Sequence, residues 1–293
     1  MIVTRERTRE LADTLRLLRA DLGVPQPQRV DELLQCRNAR DVLHEHDSFL
    51  GAALDDAAEA DIERWLARGY GITTVLDADY PALLREVHES PGIIYWQGTL
   101  DPSERGISIV GSRKATPRAV EATYSLAAQL AEEGIPVISG LADGVDTAAH
   151  SGALAVGGRT IAVVGTGLHT TYPRHNAALR SRIEQHHGLV LSQFEPDSPI
   201  RRWNFPMRNA VMSGYGVATI VMSASEKSGT RHQAQAAVKH GRGLIFAGGV
   251  SDRVSWAHRY VEQGHAYAAR SVDEAVELSK RLLAQRSELL SLF

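Results

Sequence analysis

Gly106-Ile107-Ser108-Ile109-Val110-Gly111-Ser112-Arg113-Lys114-Ala115-Thr116-Pro117 decides how this chain is read. The run to Val110 is short, apolar and rich in β-branched residues, as in a strand buried on both faces. Gly111 then lets the backbone turn tightly, and a helix is expected over residues 117–133. The same alternation continues downstream. Ile135–Ser139 reads as a strand, followed by Gly140-Leu141-Ala142-Asp143-Gly144-Val145-Asp146 and a helix over 146–156. Thr160–Val164, Leu189–Ser192, Val217–Met222 and Leu244–Phe246 are further strands, with a helix over 231–240 before the last. Apolar strands alternating with helices specify an α/β fold with a doubly wound, mostly parallel sheet.

Outward from this core, residues 1–70 read as a small helical domain. Leu11, Leu15, Leu18 and Leu22 share one helical face, Pro25 and Pro27 break the chain, a second helix begins near Asp31, and a third covers 55–68. Residues 71–105 form a connecting segment in which Ile93–Trp96 is expected as a short buried edge strand. The core spans 106–250. Residues 251–293 read as a strand and a final helix over 272–290, whose Val276, Leu282, Leu283 and Leu289 dock on the sheet or on a second copy.

The chain has 293 residues, 43% of them apolar, enough to bury a large core. Its formal charge of −3 gives no global reason to expect nucleic acid, so any such site must be a local basic patch. Cys36 is the single cysteine; it excludes an internal disulfide, points to a reducing compartment and reads as a helix-packing thiol. The charged start lacks the apolar run of a signal peptide, and no stretch approaches the roughly 20 apolar residues that span a bilayer. A cytoplasmic protein is expected.

In doubly wound sheets ligands sit beyond the carboxyl ends of the strands. At the first such turn Gly111, Ser112, Arg113 and Lys114 combine close backbone approach, a hydroxyl, a helix N-terminus and two cations, all suited to an anion. At the second, around Gly140, Asp146 either caps the following helix or pairs with His150; a metal site there lacks a third ligand. The third turn, Gly165-Thr166-Gly167, fails as a dinucleotide fingerprint because it follows the wrong strand and continues as Leu168-His169-Thr170. Arg201, Arg202, Trp203, Asn204, Phe205, Arg208 and Asn209 are either a surface loop with tucked aromatics or a phosphate clamp beside a stacking platform. Ser228, Gly229 and Thr230 open a helix with Arg231 and His232 in its first turn, where cations oppose the helix dipole unless an acidic ligand binds. No nucleophile elbow, Walker motif or carboxylate pair is present, so the turns suit holding phosphates and no catalytic residue, cofactor or metal is assigned.

Taken in order, Gly111–Arg113, Ser139–His150, Gly165–Asn176, Asn204–Asn209 and Ser228–Thr230 resemble the motifs of the DprA/Smf DNA-processing family. Asp79–Leu84 and Ile94–Gly98 resemble its lead-in to the sheet, and the likeness covers roughly residues 75–250. The resemblance implies an extended Rossmann-like fold and a non-catalytic homodimer that binds single-stranded DNA. It also implies protection of incoming strands in natural transformation and recombination, with RecA as the partner loaded onto them. Carried over by position, Ser112, Arg113 and Arg208 contact phosphates, Ser228 and Gly229 add donors, and Phe205 or Asn209 shapes the pocket. Three departures stand out: Gln233 replaces a threonine, His169-Thr170-Thr171 precedes Tyr172-Pro173, and 251–293 is too short for the winged-helix-like domain many members carry. The alternative is a nucleotide-binding sensor or nucleotide-processing enzyme of the same superfamily, whose hydrolase signature this chain lacks.

Overall fold

The computed structural model describes residues 4–46 and 57–291. Nine strands among them are β1 (Gly71–Thr74), β2 (Ile93–Gly98), β3 (Ile107–Val110), β4 (Val137–Ser139), β5 (Thr160–Val163), β6 (Leu189–Ser192), β7 (Ala218–Val221), β8 (Gly243–Phe246) and β9 (Tyr267–Ala268). They form one sheet in the order β1-β2-β6-β5-β4-β3-β7-β8-β9. The run from β6 to β9 is parallel, while β2 is antiparallel to both β1 and β6. The expected edge strand is therefore second in the sheet, and the edge is β1, part of which the sequence reading took for a domain boundary. Gly71 permits that pairing, because a Cβ there would collide with the Trp96 ring.

The strand order also fixes where a ligand can enter. From β3 the chain steps outward through β4, β5 and β6, then returns to place β7 on the other side of β3. Crossovers leave β3 on opposite faces, and a crevice opens at the carboxyl ends of β3 and β7.

Alternating strand residues feed two apolar layers. Ile107, Ile109, Val137 and Ile220 pack with α6 (Pro117–Glu132), α7 (Val145–Ala155) and α13 (Val272–Ser291). Further along this face Ala162 and Val190 meet α8 (Ala177–Gln185). Val110, Ile138, Val163, Leu191, Val221 and Phe246 face α9 (Asn204–Tyr215), α10 (Thr230–Lys239) and α12 (Ser255–Glu262). Short α5 (Ala82–Arg85) joins this second face through Leu84, and α11 (Val250–Arg253) through Val250. The final helix docks on the sheet, one of the two options open from sequence: Val276 is buried, and Leu282 fills the space left by Gly243. The side chain of Leu289 lies outside the described residues.

The N-terminal helices are α1 (Arg5–Arg19), α2 (Gln26–Cys36), α3 (Ala39–Glu45) and α4 (Ala57–Ala67). Thr4 caps α1 and Asn38 caps α3, each accepting a first-turn N–H. Leu17 enters the core of one sheet face, and Leu11 and Leu15 enter the other. Ion pairs of Arg19 with Asp61 and Glu195, and a 2.8 Å bond from Trp65 Nε1 to Asp197, clasp α1 and α4 to the loop after β6. Cys36 is exposed at the end of α2, so it is no packing thiol. The first residues expected in the 55–68 helix fall outside the described residues. No described helix is long and apolar enough to cross a membrane.

Helices α6 and α7 approach so closely that a Cβ at Gly152 would strike the Tyr124 carbonyl, with Ala127 Cβ only 3.1 Å away. Gly152→Val should therefore lower the unfolding free energy by about 1–3 kcal/mol, the usual cost of overpacking, read as a reduced urea midpoint at unchanged slope.

Candidate functional site

At the switch point between β3 and β7 lies a cleft of about 360 Å³. Its first wall is the turn after β3. A Cβ on Gly111 would lie 2.5 Å from Val145 Cγ2 and 2.8 Å from Ser223 Oγ, so only glycine lets the turn press against α7 and the chain leaving β7. The Ser112 N–H donates to Ser223 Oγ at 2.8 Å, and Ser112 Oγ accepts from the Lys114 N–H at 3.0 Å. That hydroxyl thus closes the turn. Helix α6 starts only at Pro117, which has no N–H, and Thr116 takes the Ala119 N–H at 3.3 Å. The helix N-terminus expected to greet an anion is largely capped, which leaves Arg113 as the turn's main offering. Arg113 is exposed, and its guanidinium sits 4.9 Å over the Phe205 ring.

The opposite wall is α9. Sequence reading left Arg201–Asn209 between a loop and a clamp, whereas the structure makes Asn204–Tyr215 a helix. Phe205, Arg208, Asn209 and Met212 recur at helical spacing and all line the cleft. Arg202 is exposed and Asn204 buried, and neither lines it. Tyr172 stacks obliquely on Phe205 at 5.7 Å, and Arg201 lies 5.1 Å over Trp203, which is 60% exposed. Exposed Tyr172 thus abuts the cleft through half-buried Phe205, and exposed Trp203 lies two residues before that ring in the chain.

Arg208 departs most from its expected role. It is buried, and its Nη1 donates to the carbonyls of Gly140 (2.6 Å) and Val163 (2.7 Å) at the ends of β4 and β5. Gly140 lies behind this guanidinium, where a Cβ would overlap it. Burial pulls the arginine below its ordinary pKa, while the Asp146 carboxylate pushes it back up. Asp146 is itself raised by burial and opposed by Arg208, and it accepts the Ala142 N–H at 3.3 Å. It therefore fastens the loop ahead of α7. His150 bonds Thr160 Oγ1 through Nδ1 at 2.7 Å, its Nε2 has no partner, and burial pushes it down to about 3. Asn176 pins the same loop, donating to Leu141 O and Thr147 Oγ1, each at 3.0 Å.

The floor is the turn after β7. Ser228 Oγ lies 2.6 Å from Thr230 Oγ1 and accepts the Thr230 N–H at 3.2 Å, while Gly229 faces open space. Buried Gln233 donates to Thr219 Oγ1 at 3.3 Å, and its Oε1 is unpartnered in the wall. Of the residues singled out from sequence, Gly111, Ser112, Arg113, Phe205, Arg208, Asn209, Ser228, Gly229 and Thr230 converge here. Lys114 lines a neighbouring groove instead. Met212 lines the cleft with no signal in the sequence, while His232 and Gln233, named there as a first-turn cation and a departure from the family motif, line it too.

The family model for DNA recombination-mediator protein A matches residues 71–280. Protein Smf of Synechocystis is 42% identical over 158 residues, 52% of this chain but 39% of that protein. Thus the chain spans well under two thirds of that relative's length. Among solved structures, DNA processing protein A of Streptococcus pneumoniae superposes with a TM-score of 0.68 at 27% identity, covering 94% of this chain and 98% of the other. A Helicobacter pylori DNA processing protein A structure, which reports that protein's single-stranded DNA binding mode, gives 0.63 at 25% identity over 72% and 96%.

Two stability measurements test this geometry. Arg208→Met strands two carbonyls and Asp146, and should cost about 3–5 kcal/mol in urea unfolding, whereas Arg113→Ala should stay within about 0.5. His150 has a depressed folded pKa, so its contribution is full above the unfolded value near 6.5 and is lost as pH falls toward 3. Between pH 7 and 5 the protein should lose roughly 2 kcal/mol that His150→Asn does not lose.

Proposed function

The chain belongs to the DNA recombination-mediator protein A family, and on that premise we propose that the cleft between β3 and β7 holds single-stranded DNA. Arg113 carries this reading. It is an exposed cation with no carboxylate partner among the described residues, poised over an aromatic ring at a switch-point crevice. In that position its charge meets a phosphate while a base stacks on the ledge of Phe205, Tyr172 and Trp203. Duplex DNA keeps its bases paired and stacked, so the ledge favours single strands. Buried Arg208, held by two strand-end carbonyls and opposed by Asp146, shapes the cleft from below. We assign no catalytic step to the cleft. DNA processing in recombination is supported by the family, and single-strand binding by the mode reported for the Helicobacter pylori protein. A role in natural transformation, a homodimer and delivery of the strand to RecA complete the proposal as what the family resemblance implies.

A free nucleotide is the second reading. Gln233 Oε1, buried and unpartnered in the cleft wall, favours it, since a nucleobase amino group would satisfy that oxygen. A thermal-shift screen separates the two: stabilisation by mononucleotides and not by oligonucleotides selects the second.

In gel shifts at two salt concentrations, oligothymidylate should bind better than duplex of the same length. Arg113→Ala should weaken it at least tenfold and flatten the salt dependence by about 0.7 per lost phosphate contact. Phe205→Leu should cost about 1–3 kcal/mol with the salt slope unchanged, because stacking releases no counterions. Wild-type affinity in both variants would overturn the assigned cleft.

A further inference from the structure

Beyond the rim formed by Ser112, Ser225 and Ser228 lies a second groove of about 670 Å³, sharing those residues with the cleft. It runs past the first turn of α6 and the Gly248-Gly249 turn after β8, and ends at Arg270 just after β9. Four cations line it: Lys114, Arg118, Arg253 and Arg270. All are exposed, none forms an ion pair among the described residues, and no described carboxylate lines the groove. Carboxylates on the flanking segments are engaged: Glu226 accepts from Ser255 N and Oγ, and Glu274 from the Arg270 N–H. Asp252 approaches the rim beside Gly249.

A larger cavity among the N-terminal helices makes the contrast. Its arginines alternate with Glu6, Glu10, Asp13 and Asp77, and Arg7–Asp77 and Arg40–Asp13 pair directly. Neutralised in this way, it offers an anion little. The groove beside α6 is unneutralised, and no aromatic side chain lines it. Its walls suit phosphates and offer bases nothing to stack on.

We infer that this groove is a second phosphate track. A strand whose bases meet Phe205 crosses the serine rim and lays its following phosphodiesters along Lys114, Arg118, Arg253 and Arg270. The inference rests on the single-strand reading of the cleft, and adds that site length is set by a segment where no base is held.

Fluorescence anisotropy with oligothymidylates of about 4 and about 16 nucleotides, the range of known single-strand site sizes, tests this. Arg253→Ala/Arg270→Ala removes two exposed side chains outside the cleft. The double variant should bind the longer oligomer about tenfold more weakly, with the salt slope reduced by about 1.4, and bind the shorter one as the wild type does. Unchanged affinity for the longer oligomer overturns the track, as does an equal loss for both lengths. A wild type that binds neither length overturns the single-strand reading itself, a result distinct from failure of the track alone.

Discussion

The carboxyl end of the sheet is organised around one buried guanidinium. Arg208 joins the ends of β4 and β5 by donating to Gly140 O and Val163 O, and its charge is balanced by Asp146. Everything near it follows from that placement. Gly140 must lack a side chain. Helix α9 must lie over the sheet centre, which places Phe205 one turn earlier against Gly165 and Met212 one turn later in the cleft. A buried arginine is costly unless its donors are met and its charge is opposed. Here strand-end carbonyls accept from Nη1, Asn209 Oδ1 accepts from Nε, and the Asp146 carboxylate opposes the charge. Arg208, expected from sequence to contact phosphates, is thereby the fastener that gives the cleft its shape.

The remaining charges divide by location. In the body they cancel: Arg159 pairs with Glu104, Arg242 and Arg286 share Glu86, and Arg180 pairs with Glu184. The Arg159 and Arg242 pairs tie the segments entering β5 and β8 to neighbouring loops, and Arg286 ties the last helix to Glu86, while Arg180–Glu184 lies within α8. At the strand ends Arg113, Lys114, Arg118, Arg201, Arg202, Arg231, Arg253 and Arg270 have no ion-pair partner among the described residues. A net charge of −3 is thus compatible with a local cluster of unpaired cations, because the field near a site depends on unpaired charge close to it and on screening over roughly 10 Å.

Much of the sheet was legible because parallel strands buried on both faces are uninterrupted apolar runs. β3, β5, β6, β7 and β8 fall within a residue or two of the segments read from sequence. Strand order was not legible, since it depends on which layer each crossover covers. Helix α9 was hidden by its composition: Arg-Arg-Trp-Asn-Phe-Pro reads as a loop, yet Pro206 sits in the first turn, where its missing N–H costs nothing. The cleft's turns were found, but the depth of Arg208 was not, because a side chain's burial depends on the helix above it. Family resemblance supplied the grouping of the five motifs; their separate roles required coordinates.

Glycines at strand ends invite the reading that a phosphate needs the room. Here that room is mostly filled by protein. Gly140 yields to Arg208, Gly144 to the Ser112 carbonyl, Gly165 to the Phe205 ring, and Gly167 to the carbonyls of Glu195 and Pro196. Of the turn glycines at the cleft, Gly229 is the one facing open space. Close packing of loops on one another, rather than backbone approach to a ligand, therefore accounts for most of the glycine pattern. At the third turn, the space beside Gly165 and Gly167 is taken by the Phe205 ring and the loop after β6. On the proposed reading, recognition would fall to side chains bordering this packed base, Arg113 and Phe205 among them, with Gln233 buried in the wall. Such a packed base leaves the proposed contacts to charge and ring faces, with Gly229 the turn glycine that keeps open space beside it.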